Sequence, residues 1–210
     1  MKQHDPIIDN LVNGIGFTGD LQFDVANFLR HHNHTDIAAH CLAVAKETRR
    51  LARAYNEDEE AGFQAGLLHD ISVVFLAEER GEAAKRLDIE ILPEEKVFPL
   101  IIHQKLSAYM AKEIFAISNH VIVNAVGCHT TLKANASIID KSLFVADKIK
   151  WDQQGTPPYL KDILLALDSS LDEAAFCYLN YMWQKKSQLR VIHPWLREAY
   201  IDLGRKLGKF

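Results

Sequence analysis

The chain has 210 residues, enough for one domain with a well-buried core or for one domain with extensions. Hydrophobic residues make up 48%, charged residues 25%, and the net charge is -4, which describes a soluble globular protein without the basic excess of a nucleic-acid binder. A small phosphate substrate stays compatible with that charge, because a metal ion can supply local positive potential. Three cysteines (Cys41, Cys128, Cys177) without CxxC spacing argue against a disulfide framework and for a reducing, cytoplasmic setting. Lys2 is followed by His4, Asp5 and Pro6 rather than by an apolar stretch, unlike a secretory signal. No run of ~18 apolar residues is available to span a membrane.

Residues 1–19, with Gly14, Gly16 and Gly19, are weakly patterned and read as a lead-in packing on a single domain of residues 20–210. From Asp20 the pattern is helical: Leu21, Val25, Phe28 and Leu29 recur at helical spacing. Thr35 can cap a long helix through about Tyr55, ended by Asn56 and Glu57. Glu57 or Asp58 opens a third helix, whose Phe63, Leu67 and Leu68 lead into His69-Asp70. Residues 71–92 suggest one or two short helices punctuated by Gly81, and Pro93 and Pro99 mark a connection. A helix near 100–116 carries His103, another near 119–128 ends at Gly127-Cys128-His129, and Ser137 caps one through about Ile149 that holds Asp147. A loop at 153–158, a helix near 171–187 and a last helix after Pro194 complete the chain. Val73-Val74-Phe75 and Val121-Ile122-Val123 are too short and too helically embedded to be strands. The expected fold class is all-α, a compact irregular helical bundle.

Ten histidines invite a search for a metal site. His40, His69, Asp70, His103, His129 and Asp147 each fall on or at the end of an expected helix, and a bundle can project such side chains into one interior site. Imidazole and carboxylate donors without thiolates suit iron, manganese or zinc. Asp70, a carboxylate beside a histidine, is well placed to be shared by two ions. Two ions ~3.5–4 Å apart can polarise a phosphate and hold a hydroxide between them. A lone His-Asp dipeptide carries little information. The ordered pattern H…HD…H…H…D, with the small Gly66 before the pair permitting close helix approach, carries much more.

That order resembles the HD superfamily of metal-dependent phosphohydrolases and, more closely, the bacterial YqeK family of symmetrical bis(5'-nucleosyl)-tetraphosphatases. The matching stretches are His40-Cys41-Leu42-Ala43-Val44-Ala45 and Ala65-Gly66-Leu67-Leu68-His69-Asp70, then His103 ahead of Ala108-Tyr109-Met110-Ala111. Cys128-His129-Thr130-Thr131, Phe144-Val145-Ala146-Asp147-Lys148-Ile149 and Ile192-His193-Pro194 follow, so that the similarity spans roughly residues 20–200. The resemblance implies two metal ions, iron or else manganese, and symmetrical cleavage of diadenosine tetraphosphate to two ADP by a hydroxide held between them. It assigns one ion to His40, His69, Asp70 and Asp147 and the other to Asp70, His103 and His129, with Asp70, His103 and His129 at the reacting centre. It places Thr130 and Thr131 near the phosphate. Lys133, Lys148 and Lys150 are candidate phosphate-binding point charges, against the ordinary reading of solvated lysines.

Three departures touch the substrate side. Gln104 follows His103 where the family has glycine. The segment His129-Thr130-Thr131-Leu132 replaces HTTG. After Asp147 the chain reads Lys148-Ile149-Lys150-Trp151-Asp152-Gln153 and lacks the family's arginine. Two further readings therefore stay open: an HD phosphohydrolase acting on a nucleoside monophosphate or a dNTP, and a non-catalytic HD domain that binds a nucleotide or a metal. No GxxxxGK[ST] occurs, so a P-loop ATPase is excluded. The expected partner is a small nucleotide, not a nucleic acid or a membrane, and a homodimer is compatible with the sequence. His31, His32, His34 and His120 read as solvated, and His193 as a helix cap. Trp151 can stack on a base, although an aromatic at a helix end more often packs.

Overall fold

The computed structural model describes residues 5–151 and 153–210, and every regular element among them is helical. The order is α1 (Pro6–Val12), α2 (Leu21–His31), α3 (Thr35–Ala54), α4 (Glu59–Leu68), a 3-10 turn (Ile71–Val74), α5 (Arg80–Arg86), α6 (Pro93–Val97) and a second 3-10 turn (Pro99–Ile102). Then come α7 (His103–Glu113), α8 (His120–Cys128), α9 (Ile138–Ile149), α10 (Leu160–Leu167), α11 (Leu171–Gln184), a third 3-10 turn (Lys186–Gln188) and α12 (Pro194–Lys206). The fold is all-α, and none of the helices is long and apolar enough to cross a membrane.

Local chemistry sets the boundaries. The Asp20, Asp58 and Ser137 side chains accept from backbone amides two or three residues on and so cap α2, α4 and α9. Ser137 and Asp140 form a reciprocal capping box. Pro6, Pro93, Pro99 and Pro194 each open a helical turn, where the missing N–H costs nothing. Asn56 at φ 56° ends the α3 region as its sequence suggests.

Four details differ from the sequence reading. Thr35 is the first residue of α3, and the cap position belongs to His34, which makes no side-chain cap bond. Gly81 lies inside α5 rather than punctuating it. Residues 5–19, weakly patterned in sequence, contain the helix α1, which buries Ile8 in the core and whose Leu11 carbonyl receives a bond from His32 Nε2 at 2.9 Å. Helix α10 falls where no helix was expected, although Leu160, Ile163, Leu164 and Leu167 have helical spacing.

α3 is the central strut, packed along α4 and α9; α8 leans on α4, α7 and α9, and α11 joins α9 to α10 and α12. The α3–α4 approach depends on Gly66. A β-carbon there would press into the Ala45 backbone, 2.6 Å from its nitrogen, with no flexible side chain to yield. Gly66→Ala should therefore destabilise by about 1–3 kcal/mol, lowering the calorimetric midpoint by on the order of 3–10 °C. Gly81→Ala, which meets nothing within 4 Å, serves as the control and should not lower it. Equal responses would contradict the close approach.

Candidate metal centre

The six expected ligands converge from five elements. His40 projects from the second turn of α3, His69 and Asp70 follow the last residue of α4, and His103 opens α7. His129 follows the last residue of α8, and Asp147 lies in the last turn of α9. The C-terminal ends of α4, α8 and α9 thus meet here, and their partial negative charge favours a cation.

The same ends orient the imidazoles. Carbonyls of a last helical turn have no amide partner, and the ring nitrogens use them. His69 Nδ1 donates to Gly66 O at 2.8 Å and His129 Nδ1 to Val126 O at 2.8 Å. His103 Nδ1 donates to Leu100 O, in the preceding 3-10 turn, at 2.7 Å. A carbonyl can only accept, so these three Nδ1 atoms carry protons and their Nε2 atoms face inward.

Two groups of inward-facing atoms result: His40, His69 and Asp147, and Asp70, His103 and His129. In the first, His40 and His69 Nε2 lie 3.2 Å apart, and Asp147 Oδ1 is 3.4 and 3.5 Å from them. In the second, His103 and His129 Nε2 are 3.0 Å apart, and Asp70 Oδ1 is 3.4 Å from each. The other Asp70 oxygen, Oδ2, faces His69 Nε2 at 3.5 Å. The Asp70 carboxylate is therefore divided between the two groups.

Electrostatics tests whether ions fit. In the second group, two imidazole lone pairs and a carboxylate oxygen converge, and the nearest donor is the Thr130 hydroxyl, 3.0 Å from His103 Nε2. Protonation does not relieve this at His103, because burial, only partly opposed by Asp70, pushes its pKa down to about 4. The Asp70 carboxyl lies far below the usual range: burial works against this, but His69, His129 and His103 around it prevail. Asp147 is likewise held well below its ordinary value, against burial, by Lys148, His40 and His69. His69 goes the other way: burial disfavours its imidazolium, but the Asp70 charge beside it raises the pKa well above normal. Two ionised carboxylates and converging lone pairs in a largely buried place form a donor set that fits two divalent cations of the kind nitrogen and oxygen ligands hold.

The cavity over these ligands is about 210 Å³ and is lined by His40, Asp70, His103, His129, Thr130, Asp147, Lys148, Trp151, Tyr159 and Tyr178. Larger hollows exist, such as one of about 640 Å³ between α3 and α10, but that one gathers no comparable set of ligands. Lys148 Nζ contacts Asp147 Oδ2 at 2.6 Å and donates to His129 O at 3.3 Å.

Of the expected substrate residues, Thr130 and Lys148 line the cavity, and Thr131 and Lys133 do not. The buried Thr131 hydroxyl donates to Leu132 O at 2.9 Å and meets Gln104. Lys133 pairs with Asp140 at 3.4 Å and opens onto a separate hollow that includes Trp195. Lys150 pairs with Glu47 at 3.2 Å. His193 Nδ1 accepts from Trp195 N, capping α12, and its Nε2 donates to the buried Glu95 at 3.2 Å. His31, His32, His34 and His120 belong to neither ligand group; His4 lies outside the described residues. Tyr159 and Tyr178 were missed: both are remote from the motifs in sequence, and Tyr159 precedes the unexpected α10.

The HD domain family model matches residues 37–152, more than half of the chain and a span that holds all six expected ligands. The chain belongs to the HD domain family. As an HD-domain protein it is a metal-dependent phosphohydrolase. An uncharacterised protein of the pepC 5' region in Lactococcus lactis subsp. cremoris is 46% identical over 70% of this chain and 74% of its own length. A symmetrical bis(5'-nucleosyl)-tetraphosphatase of Halalkalibacterium halodurans is 24% identical over 55% of this chain and 61% of its own. The crystal structure of a "predicted HD superfamily hydrolase involved in NAD metabolism" from Clostridium acetobutylicum superposes with a TM-score of 0.79 at 25% identity, covering 90% of this chain and 98% of that one.

Two ions per HD domain should be found by elemental analysis after loading with iron or manganese. Removing them with a chelator should lower the thermal midpoint by roughly 10–20 °C relative to protein held at about a hundredfold excess over Kd at both sites. A midpoint indifferent to chelation, with no metal retained, would contradict the fit.

Proposed function

We propose that this HD domain hydrolyses a nucleotide phosphoanhydride, with symmetrical cleavage of diadenosine tetraphosphate to two ADP as the leading reaction. The observation that carries the reading is the divided Asp70 carboxylate on the floor of a cavity walled by one lysine and three aromatic rings. His40, His69, Asp70 Oδ2 and Asp147 would hold one ion, and Asp70 Oδ1, His103 and His129 the other. Bound there, two divalent ions lower the pKa of water and neutralise charge on phosphoryl oxygens.

The chain's own groups do the rest. Lys148, buried beside Asp147, places a fixed point charge at the wall for a phosphate oxygen. The Thr130 hydroxyl, free to turn from His103, offers a donor to the same phosphate. Gln104 holds that segment: its Oε1 accepts from Thr130 N at 3.1 Å and lies 3.4 Å from Thr131 N. Burial pushes the Tyr159 and Tyr178 phenols up, so both stay protonated as donors. Neither hydroxyl has a hydrogen-bond partner among the described residues.

Size supports a long substrate held at its middle. At about 210 Å³ the cavity is smaller than the ~300–1,000 Å³ of sites that enclose drug-sized ligands. It takes phosphates and leaves nucleosides at the rim, where Trp151 is part-exposed and edge-on to Tyr159. ADP leaves as a stabilised phosphate and needs no strong acid. The Halalkalibacterium relative carries the symmetrical tetraphosphatase name, which favours this reading. The Clostridium structure, described as involved in NAD metabolism, favours a different nucleotide as the second reading.

Product chromatography on metal-loaded protein decides between them. ADP alone from diadenosine tetraphosphate is the expected result; AMP with ATP contradicts the symmetrical geometry, and no turnover beside rapid cleavage of another nucleotide selects the second reading. Asp70→Asn should lower turnover at least a hundredfold, about 3 kcal/mol of barrier. His31→Ala, exposed and outside both ligand groups, should stay within about twofold.

A further inference from the structure

We propose that Arg80 supplies the forked phosphate contact at this site, entering from the His103 side. The proposal rests on the phosphate-substrate reading above. The segment after Asp147 carries no arginine, and its second lysine, Lys150, is engaged by Glu47 at 3.2 Å. Lys148 provides charge but not the planar pair of donors that grips two phosphate oxygens at once.

Arg80 is the first residue of α5 and is half-buried. Its acidic neighbours are turned elsewhere: Glu79 accepts from Leu76 N at 3.3 Å, and Glu82 lies 3.9 Å from Lys85. Among the described residues, Arg80 has no carboxylate within ion-pair distance. Among the described residues its side chain bonds only through Nε to Phe75 O at 3.4 Å and Nη1 to Leu100 O at 3.5 Å, both at the long limit. Most of its five N–H groups are therefore unused.

The second of these bonds fixes its place. Leu100 O is the oxygen that receives His103 Nδ1 at 2.7 Å, and it also accepts the His103 backbone N–H. The guanidinium thus shares a single, already saturated oxygen with a histidine of the second ligand group, and little holds it there. It lies beside that edge of the cavity rather than in its lining. Burial disfavours its charged form, and the attraction that opposes this comes from Asp70. A part-desolvated arginine without an acid partner gains when an anion arrives, and the anion expected in the adjoining cavity is the substrate's phosphate.

The test is ADP binding by calorimetry to metal-loaded wild type, Arg80→Gln and Arg80→Lys, with thermal midpoint, metal content and steady-state kinetics on the same samples. Gln should weaken ADP roughly ten- to a hundredfold, in line with loss of a charged hydrogen-bond pair. Lys should fall between. KM for the dinucleotide should rise more than kcat falls, while midpoint and metal content hold. Unchanged ADP affinity in Gln overturns the proposal. So does weakened affinity accompanied by a lowered midpoint and lost metal with no rescue by Lys, which would make Arg80 a strap between the two 3-10 turns. Wild type that binds ADP but cleaves no anhydride defeats the proposed reaction, and Arg80 is then judged on ADP affinity alone. Wild type that binds no ADP contradicts both.

Discussion

Asp70 has to be held with its two carboxylate oxygens facing different sets of imidazoles, one toward His69 and the other toward His103 and His129. Everything else in the fold is arranged around that demand. A carboxylate so placed is costly to bury unless cations or protons surround it. Its neighbours cannot relieve it by turning, because His69, His103 and His129 are each locked by an Nδ1–H bond to a carbonyl three residues back. The locks exist because a helix or 3-10 turn ends at each of these residues: the last carbonyls of α4 and α8 take the ring N–H groups of His69 and His129, and Leu100 O takes that of His103 beside the His103 backbone N–H. Helix termination is thus the device that aims the ligands.

The tight spot behind the site follows from the same demand. His69 can stand beside His40 only if α4 lies close against α3, and Gly66, one turn before His69, gives the closest approach to the Ala45 backbone. Small residues along this contact, Ala45, Ala52, Ala61, Ala65 and Gly66, are all buried. The packing sets the two candidate ligand groups side by side.

The convergence of the six candidate residues, the helical class and most helix positions were legible in the sequence, because caps, prolines and the ordered His and Asp residues are local signals. Less legible was what tertiary contact decides. Lys133 is near the ligands in sequence, yet Asp140 draws it to another face. Thr131 follows Thr130, yet the Gln104 side chain and the Leu132 carbonyl turn its hydroxyl inward. Leu132 stands where the resembling family has glycine and adopts φ 57°, a strained value for leucine, while its side chain is fully buried. Tyr159, Tyr178 and Arg80 reach the site region from elements that no motif marks, and only the folded chain brings them there.

Sharing of Asp70 by two ions is tested most directly by anomalous diffraction from crystals of metal-loaded protein. Two peaks ~3.5–4 Å apart are expected, one among His40, His69 and Asp147, the other beside His103 and His129, with Asp70 between them. A single peak at full metal loading, or two peaks with Asp70 touching only one, would contradict it.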